Sequence, residues 1–119
     1  MPRSRFPHRV YDRGHEPDPR FSLANERTFL AWVRTALALL AAGVALEALD
    51  VPIEPNLRFA AAAVFVLLGL AAAIQAWVGW MRTETSLRLD RALPGPALGA
   101  VVVTGVVVAV VLIAVGFFL

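Results

Sequence analysis

The stretch ALGAVVVTGVVVAVVLIAVGFFL, residues 97–119, decides the fold class because it is long, apolar and free of charged side chains. At about 1.5 Å per residue, a helix of this length crosses a hydrocarbon core about 30 Å thick. A segment in lipid must satisfy its own backbone hydrogen bonds, which a helix does. The stretch also lacks the two-residue alternation of a barrel strand. It is therefore predicted to be a transmembrane helix.

Two more runs, residues 28–49 and 59–81, have the same apolar character. Hydrophobic residues make up 59% of the 119-residue chain, above the roughly 45–50% that is usual in soluble globular proteins. The length leaves room for one domain. The sequence therefore predicts an all-α integral membrane protein with three transmembrane helices. Their expected bounds are about residues 19–49, 57–82 and 97–119.

The residues before the first run predict where the membrane domain begins. Residues 1–17 mix charged residues with proline, and we expect them to form a flexible cytoplasmic tail. Asp18 directly precedes Pro19, which is the pattern of a helix N-cap followed by proline at the first helical position. The three-helix domain is therefore expected to span residues 18–119.

The distribution of arginine predicts the orientation in the membrane. The tail and the second link, residues 82–96, are rich in arginine, whereas the first link, residues 50–56, is acidic and has only Arg58 at its margin. Arginine-rich segments stay on the cytoplasmic side. The N-terminus is therefore expected inside, and three crossings then place the C-terminus outside.

The first predicted helix carries a seven-residue repeat of arginine and alanine. Its members are Arg20, Arg27 and Arg34, with Ala24, Ala31, Ala38 and Ala45. Seven residues make nearly two helical turns, so each series forms a line that drifts by about 20° per step. Small residues at this spacing let a second helix approach closely. We call these seven residues the Arg/Ala stripe and predict that it is a packing face.

Arg34 lies inside the first apolar run and has three interpretations. A charge at the bilayer centre costs about 2.5–3.5 kcal/mol on insertion scales. Its long side chain can reach the interface as an anchor. Alternatively it can line a polar pore or anion site with Arg20 and Arg27, or it can pair with a carboxylate, for which Glu26 is the nearest candidate. The sequence leaves all three open.

Three other polar residues of the predicted helices are candidates for structural or binding roles. Gln75 and Arg82 are seven residues apart near the end of the second helix, and Asn25 lies in the first. An amide side chain in a span usually forms a helix–helix hydrogen bond, which is the role expected for Asn25 and Gln75. Arg82 joins the candidate anion-binding arginines.

The residues that most enzymes and metal sites need are scarce in this chain. There is no cysteine, and the two histidines, His8 and His15, both lie in the tail. No Ser–His–Asp set, HExxH motif or phosphate-binding glycine loop occurs. We therefore expect no catalytic residue, no enzymatic activity, no cofactor and no metal site. Since acidic residues are interspersed in the basic tail, anionic lipid is the expected counterpart rather than nucleic acid.

The segment LANERTFLAW, residues 23–32, within RFSLANERTFLAWVRT, residues 20–35, resembles the sequence motif of a family of small membrane proteins. The family is the domain-of-unknown-function family 202, the YidH-like proteins. It is related to the membrane domain of the vacuolar transporter chaperone complex, which makes polyphosphate and passes it across a membrane. Three helices and an arginine-bearing second link fit the resemblance, which covers residues 18–119.

The resemblance carries further expectations for this chain. In the related complex, three-helix domains assemble as a pentamer with their first helices around a basic pore. By resemblance, Arg20, Arg27 and Arg82 fall at pore-lining positions, and Glu26 is a structural partner to such an arginine. The chain lacks the polymerase and phosphate-sensing domains of that complex.

Two functions follow as expectations. The first is a homo-oligomer of the bacterial plasma membrane in which the Arg/Ala stripe lines a conduit for phosphate or polyphosphate anions. The second is a non-conducting accessory or scaffold subunit that binds another membrane protein through the same face.

Overall fold

The computed structural model describes residues 5–95 and 97–119. It contains one short helix, α1 (His8–Tyr11), and three long ones, α2 (Pro19–Ala48), α3 (Pro55–Arg88) and α4 (Ala97–Phe118). Each long helix is long enough and apolar enough to cross a membrane. The predicted all-helical fold with three spans is therefore confirmed.

The two longest helices begin at matching caps. Asp18 accepts a hydrogen bond from the backbone N–H of Arg20 and is followed by Pro19. Glu54 accepts one from the backbone N–H of Leu57 and is followed by Pro55. Each carboxylate satisfies an N–H group that has no partner inside its helix. Proline at the first helical position therefore sets both starts.

Helix α3 is the centre of the bundle. It packs against α2 on one side and α4 on another, and no Cα atoms of α2 and α4 approach within 8 Å in the described residues. A small core joins Ala36 and Leu39 of α2 to Leu68 and Ala72 of α3 and Val102 of α4. The arrangement leaves a groove between α2 and α4.

Two glycines allow α2 and α3 to lie close together. A Cβ atom at Gly43 would sit 2.9 Å from the carbonyl oxygen of Ala62, and one at Gly69 would sit 3.1 Å from that of Ala36. Backbone atoms cannot yield as a flexible side chain can. Both positions therefore require glycine for this helix separation.

Helix α3 differs from its predicted bounds at both ends. It begins at Pro55 and continues to Arg88, six residues past the predicted end at Arg82. No glycine or proline occurs between residues 82 and 93, so nothing in the backbone stops the helix at Arg82. At about 1.5 Å per residue, α3 is about 50 Å long and extends beyond a core of about 30 Å.

The described part of the tail also differs from the flexible segment expected. Residues 5–17 fold back onto the last turns of α3, with Val10 only 1% exposed. We call this end of the bundle, formed by residues 5–27, 75–95 and 97–101, the arginine-rich end. The opposite end, formed by residues 47–58 and the C-terminal turn of α4, is called the link end.

Candidate functional site

A buried carboxylate joins α2 to α3 at the arginine-rich end. Glu84 is 3% exposed, and Asn25 beside it is 6% exposed. The hydroxyl of Ser22 donates to Glu84 Oε1 at 2.6 Å, and the amide of Asn25 donates to Glu84 Oε2 at 3.0 Å. The same amide nitrogen also lies 3.1 Å from the carbonyl oxygen of Trp80. Asn25 thus makes helix–helix hydrogen bonds of the kind predicted for it.

Neutral donors alone surround Glu84. No arginine contacts it in the described residues. A buried carboxylate is stable only when its oxygens accept hydrogen bonds, and here both do. The cluster therefore specifies the register of α2 against α3 rather than offering a free acid for chemistry.

Arg88 holds the N-terminal segment on α3. It is 5% exposed. Its Nε donates to the carbonyl oxygen of Arg13 at 2.8 Å, and one terminal nitrogen donates to that of Tyr11 at 2.9 Å. The other terminal nitrogen donates to the Glu16 carboxylate at 3.2 Å. All three guanidinium nitrogens are therefore used, as a buried cation requires.

The chain reverses tightly beside Arg88. Gly14 has φ +57°, and a Cβ atom there would overlap the carbonyl oxygen of Arg88. The next residue, His15, donates its backbone N–H to that oxygen at 3.2 Å. Its ring also lies 3.1 Å from the carboxylate of Asp90. This backbone contact requires glycine for two reasons, its left-handed φ and its lack of a side chain.

Aromatic rings extend this contact towards the membrane. Trp77 and Trp80 of α3 stack at 5.6 Å, and Phe6 and Tyr11 from the N-terminal segment each lie 6.1 Å from one of them. The Arg5 guanidinium lies 4.2 Å from the Tyr11 ring centre. Tryptophan and tyrosine are typical of the membrane interface, so this cluster marks where α3 leaves the hydrocarbon region.

The structure leaves the arginines of the Arg/Ala stripe exposed. Arg20 pairs with the Asp18 carboxylate at 2.8 Å, and this contact, with the Arg20 backbone N–H, holds the pKa of Asp18 below its usual value. Arg27 and Arg34 form no ion pair with any residue in 5–95 or 97–119. Glu26 is also exposed and forms no ion pair with an arginine among the described residues.

The alanines of the stripe face away from α3 and α4. Ala24, Ala31 and Ala38 are exposed, and Ala45 is half-buried. Packing on α3 uses another face of α2, whose buried residues include Asn25, Ala36, Leu39 and Gly43. Any packing role of the stripe must therefore involve a second molecule.

Gln75 and Arg82 line a polar groove between α2 and α4. This cavity of about 500 Å³ also includes Asn25, Thr28 and Trp32, with the first turn of α4 on its far side. The half-buried Gln75 forms no hydrogen bond with the part of the chain that is described, so the helix–helix bond predicted for it is not seen among those residues. Neither cavity bordered by Arg82 includes Arg20, Arg27 or Arg34.

The link end is simpler. Arg58 lies 3.5 Å from the Glu47 carboxylate and 3.4 Å from that of Asp50, and it donates to the carbonyl oxygen of Val51 at 3.0 Å. The backbone N–H of Glu54 donates to the carbonyl oxygen of Gly116 at 3.0 Å. Arg58 thus ties α3 to the end of α2 and the first link, and the Glu54 backbone ties the start of α3 to α4.

Sequence reasoning missed Glu84 entirely and treated Arg88 only as a positive charge in a link. Both lie on the part of α3 beyond its predicted end. Their spacing of four residues, in a run without glycine or proline, places them on one helical face. This spacing, together with the three-residue spacing of Ser22 and Asn25 on the first helix, is the sequence signal that could have identified the buried contacts between α2 and α3.

The chain is similar in sequence to one protein family and to several bacterial proteins. The family described as Domain of unknown function (DUF202) matches residues 20–86, more than half of the chain. Inner membrane protein YidH of Escherichia coli (strain K12) is 48% identical over 82 residues, covering 68% of this chain and 71% of that protein. An uncharacterized protein of Mycobacterium tuberculosis (strain H37Rv) is 43% identical over 101 residues, covering 83% of each chain. No solved structure matches.

Proposed function

The chain belongs to the DUF202 family of unknown function, and we propose that it is a non-enzymatic homo-oligomer whose Arg/Ala stripes surround an anion-favouring conduit. Its relative in Escherichia coli is named an inner membrane protein, and we assign this chain to the bacterial inner membrane as well. The arginine-rich end then faces the cytoplasm, as arginine-rich segments do.

The observation that supports the conduit is the exposure of the stripe. Arg27 and Arg34 project from a helix that is otherwise apolar enough to span, and they have no carboxylate partner in the described residues. A charge within a span usually faces a protein interior or a water-filled space rather than lipid. Facing copies of α2 would supply that space.

The alanines of the stripe make such an assembly sterically feasible. Ala31 and Ala38 alternate with the arginines along one exposed face. Small residues at this spacing allow neighbouring helices to pack closely. A ring of five copies is the assembly implied by the resemblance to the polyphosphate complex, and it would place several arginines around one axis. Such a ring attracts phosphate and polyphosphate.

Proteoliposomes containing the purified chain test the conduit. We expect them to pass phosphate or short polyphosphate, and we expect Arg27→Ala to reduce the flux at least several-fold because it removes a stripe charge from every copy. Arg5→Ala is the matched control, since it removes an arginine outside the stripe. Impermeable liposomes, or equal loss in both variants, would refute the conduit.

The second candidate function is a non-conducting accessory subunit. The observation that favours it is the groove beside Gln75, where an amide without a hydrogen bond in the described chain faces the gap between α2 and α4. A polar group at membrane depth favours a partner helix. Photo-crosslinkers at Ala31 on the stripe and at Thr28 beside the groove separate the two functions. Crosslinks to the same chain support the conduit, and crosslinks to a foreign membrane protein support the accessory role.

A further inference from the structure

Four arginines meet in a cavity of about 440 Å³ at the arginine-rich end, away from the Arg/Ala stripe. Arg9 and Arg13 come from the N-terminal segment, Arg82 from α3, and Arg91 from the link before α4. The hydroxyl-bearing Thr85 and Ser86 complete its polar lining, and no carboxylate lines it. We call it the four-arginine pocket.

The charge of this pocket is not neutralised within the described chain. The ion pairs among residues 5–95 and 97–119 involve other basic residues, namely Arg5, His15, Arg20, Arg58 and Arg88. Among the nearby carboxylates, Glu16 is engaged by Arg5 and Arg88, and Asp90 lies beside His15. Asp12 forms no ion pair with the described residues and does not line the pocket. Like charges gathered without a counterion repel one another. An anion from outside would relieve that repulsion.

The backbone around the pocket is fixed by contacts that do not use the four arginine side chains. Arg88 donates to the carbonyl oxygen of Arg13 at 2.8 Å, and the buried Val10 holds the neighbouring Arg9 against α3. The backbone N–H of Arg91 donates to the carbonyl oxygen of Ser86 at 2.9 Å. The four side chains are therefore presented from a pre-formed frame and remain available to a ligand.

The rest of the lining is apolar and lies close to the interfacial aromatic cluster. Val10, Val78, Met81 and Pro94 share the cavity with the arginines. Trp77 and Trp80 are on the adjacent turns of α3. Basic pockets between helices at the cytoplasmic membrane surface suit lipid headgroups, and the volume lies in the range of small-ligand sites.

We propose that the four-arginine pocket binds a phosphate group, carried by the headgroup of an anionic phospholipid or by a soluble anion such as pyrophosphate. Guanidinium groups match phosphate oxygens through paired N–H donors. The hydroxyl of Thr85 supplies a further donor, whereas the hydroxyl of Ser86 already donates to the carbonyl oxygen of Arg82 at 2.9 Å. This site shares no residue with the Arg/Ala stripe, although Arg82 is also a pore-lining position by the resemblance, and its phosphate binding is measured independently of flux.

The first arm of the test measures lipid retention. The full-length chain is placed in phosphatidylcholine nanodiscs with a minority of phosphatidylglycerol, and bound lipid is counted by native mass spectrometry. Arg9→Gln with Arg82→Gln is the pocket variant. Arg5→Gln with Arg58→Gln removes the same charge outside both the pocket and the stripe and is the matched control. We expect about tenfold or greater loss of retained phosphatidylglycerol in the pocket variant alone.

The second arm identifies the source of the phosphate. Pyrophosphate is titrated by calorimetry into the chain in phosphatidylcholine-only nanodiscs. Binding that the pocket variant loses and the control keeps assigns the site to a soluble anion, while lipid retention without pyrophosphate binding assigns it to the headgroup. Both outcomes support the site.

Two outcomes would overturn the proposal. One is that the wild-type chain retains no phosphatidylglycerol selectively and binds no pyrophosphate. The other is that the pocket variant and the matched control lose binding equally, which would show only an effect of net charge. Arg91→Gln alone, on the exposed link, is a milder pocket variant that tests the site if the double variant does not fold. Circular dichroism must show unchanged helix content in every variant. Failure of the conduit leaves this result intact, because the readout is binding rather than flux.

Discussion

The two ends of the bundle hold charged residues in different ways. At the arginine-rich end, Glu84 and Arg88 are 3% and 5% exposed, and each is surrounded by hydrogen-bond partners from another segment. At the link end, Arg58 pairs with Glu47 and Asp50, whose side chains are 42% and 95% exposed. One end has a built polar interior. At the other end the two carboxylates reach water, although the Arg58 side chain is 18% exposed and its buried Nε forms no hydrogen bond with the described residues.

This difference indicates where the chain is specialised. Exposed ion pairs contribute little because water and salt already stabilise the separated charges. Buried charges are retained only where their partners are in place, and they determine one arrangement of the segments around them. The arginine-rich end is thus the rigid end, and it carries both cavities that contain Arg82.

The largest expected effect is the loss of Glu84. Glu84→Ala leaves the Ser22 hydroxyl and the Asn25 amide without their acceptor in a buried site, so we expect a loss of about 2–3 kcal/mol in the free energy of unfolding. Thermal unfolding in mild detergent measures it. Glu47→Ala is the matched change at the link end and should lower stability by less than about 1 kcal/mol. Equal losses would remove the contrast between the two ends.

The loss of Arg88 should act on the N-terminal segment more than on the three long helices. Arg88→Ala removes hydrogen bonds to the carbonyl oxygens of Tyr11 and Arg13 and the contact with Glu16. We expect local stability to fall by about 2 kcal/mol, which is roughly a thirtyfold faster amide exchange in residues 8–15. Exchange measured by mass spectrometry should leave residues 60–75 unchanged. Equal acceleration there would mean that Arg88 supports the whole bundle instead.

The long apolar runs fixed most of the fold in advance, because lipid allows few alternatives to a helix. Three spans and the Asp18 cap followed from composition and local pattern. The end of α3 did not, since Arg82 beside two tryptophans resembles a membrane boundary although the helix continues past it. The packed N-terminal segment was also missed, because its order depends on the distant Arg88 and on Gly14, which no local pattern connects.

The candidate site was predictable only in part. Asn25 was recognised because an amide in a span needs a partner, but that partner, Glu84, lies 59 residues away. The Arg/Ala stripe was visible as a repeat, yet a periodicity does not tell which face meets α3. The four-arginine pocket could not be foreseen, since it combines a tail, a helix and a link that meet only in three dimensions.

A smaller effect is expected from Arg58 at the link end. Arg58→Gln removes the cation shared by Glu47 and Asp50, but both carboxylates are exposed enough to be solvated. We therefore expect the free energy of unfolding to fall by about 1 kcal/mol or less. Part of that loss comes from the hydrogen bond that Arg58 donates to the carbonyl oxygen of Val51. The shift in unfolding temperature should shrink further when salt is raised, because screening weakens exposed pairs. A loss as large as that of Glu84→Ala would show that the link end is as rigid as the arginine-rich end.

The smallest effect concerns the cap at Asp18, whose side chain is 37% exposed. Its pKa lies below the usual carboxyl value of 3.8 because the charged form accepts from Arg20. A lowered pKa means that the cap stabilises the helix above pH 3.8 and that this contribution is lost as the pH falls through the lower value.

Asp18→Asn keeps a capping oxygen without a titrating group. The ratio of amide exchange at residues 20–22 between the wild type and Asp18→Asn cancels the pH dependence of exchange itself. We expect that ratio to be flat from pH 7 to pH 5 and to change a few-fold below pH 4. A ratio that is flat throughout would mean that the Arg20 contact does not stabilise the charged cap, and that Pro19 alone sets the start of α2.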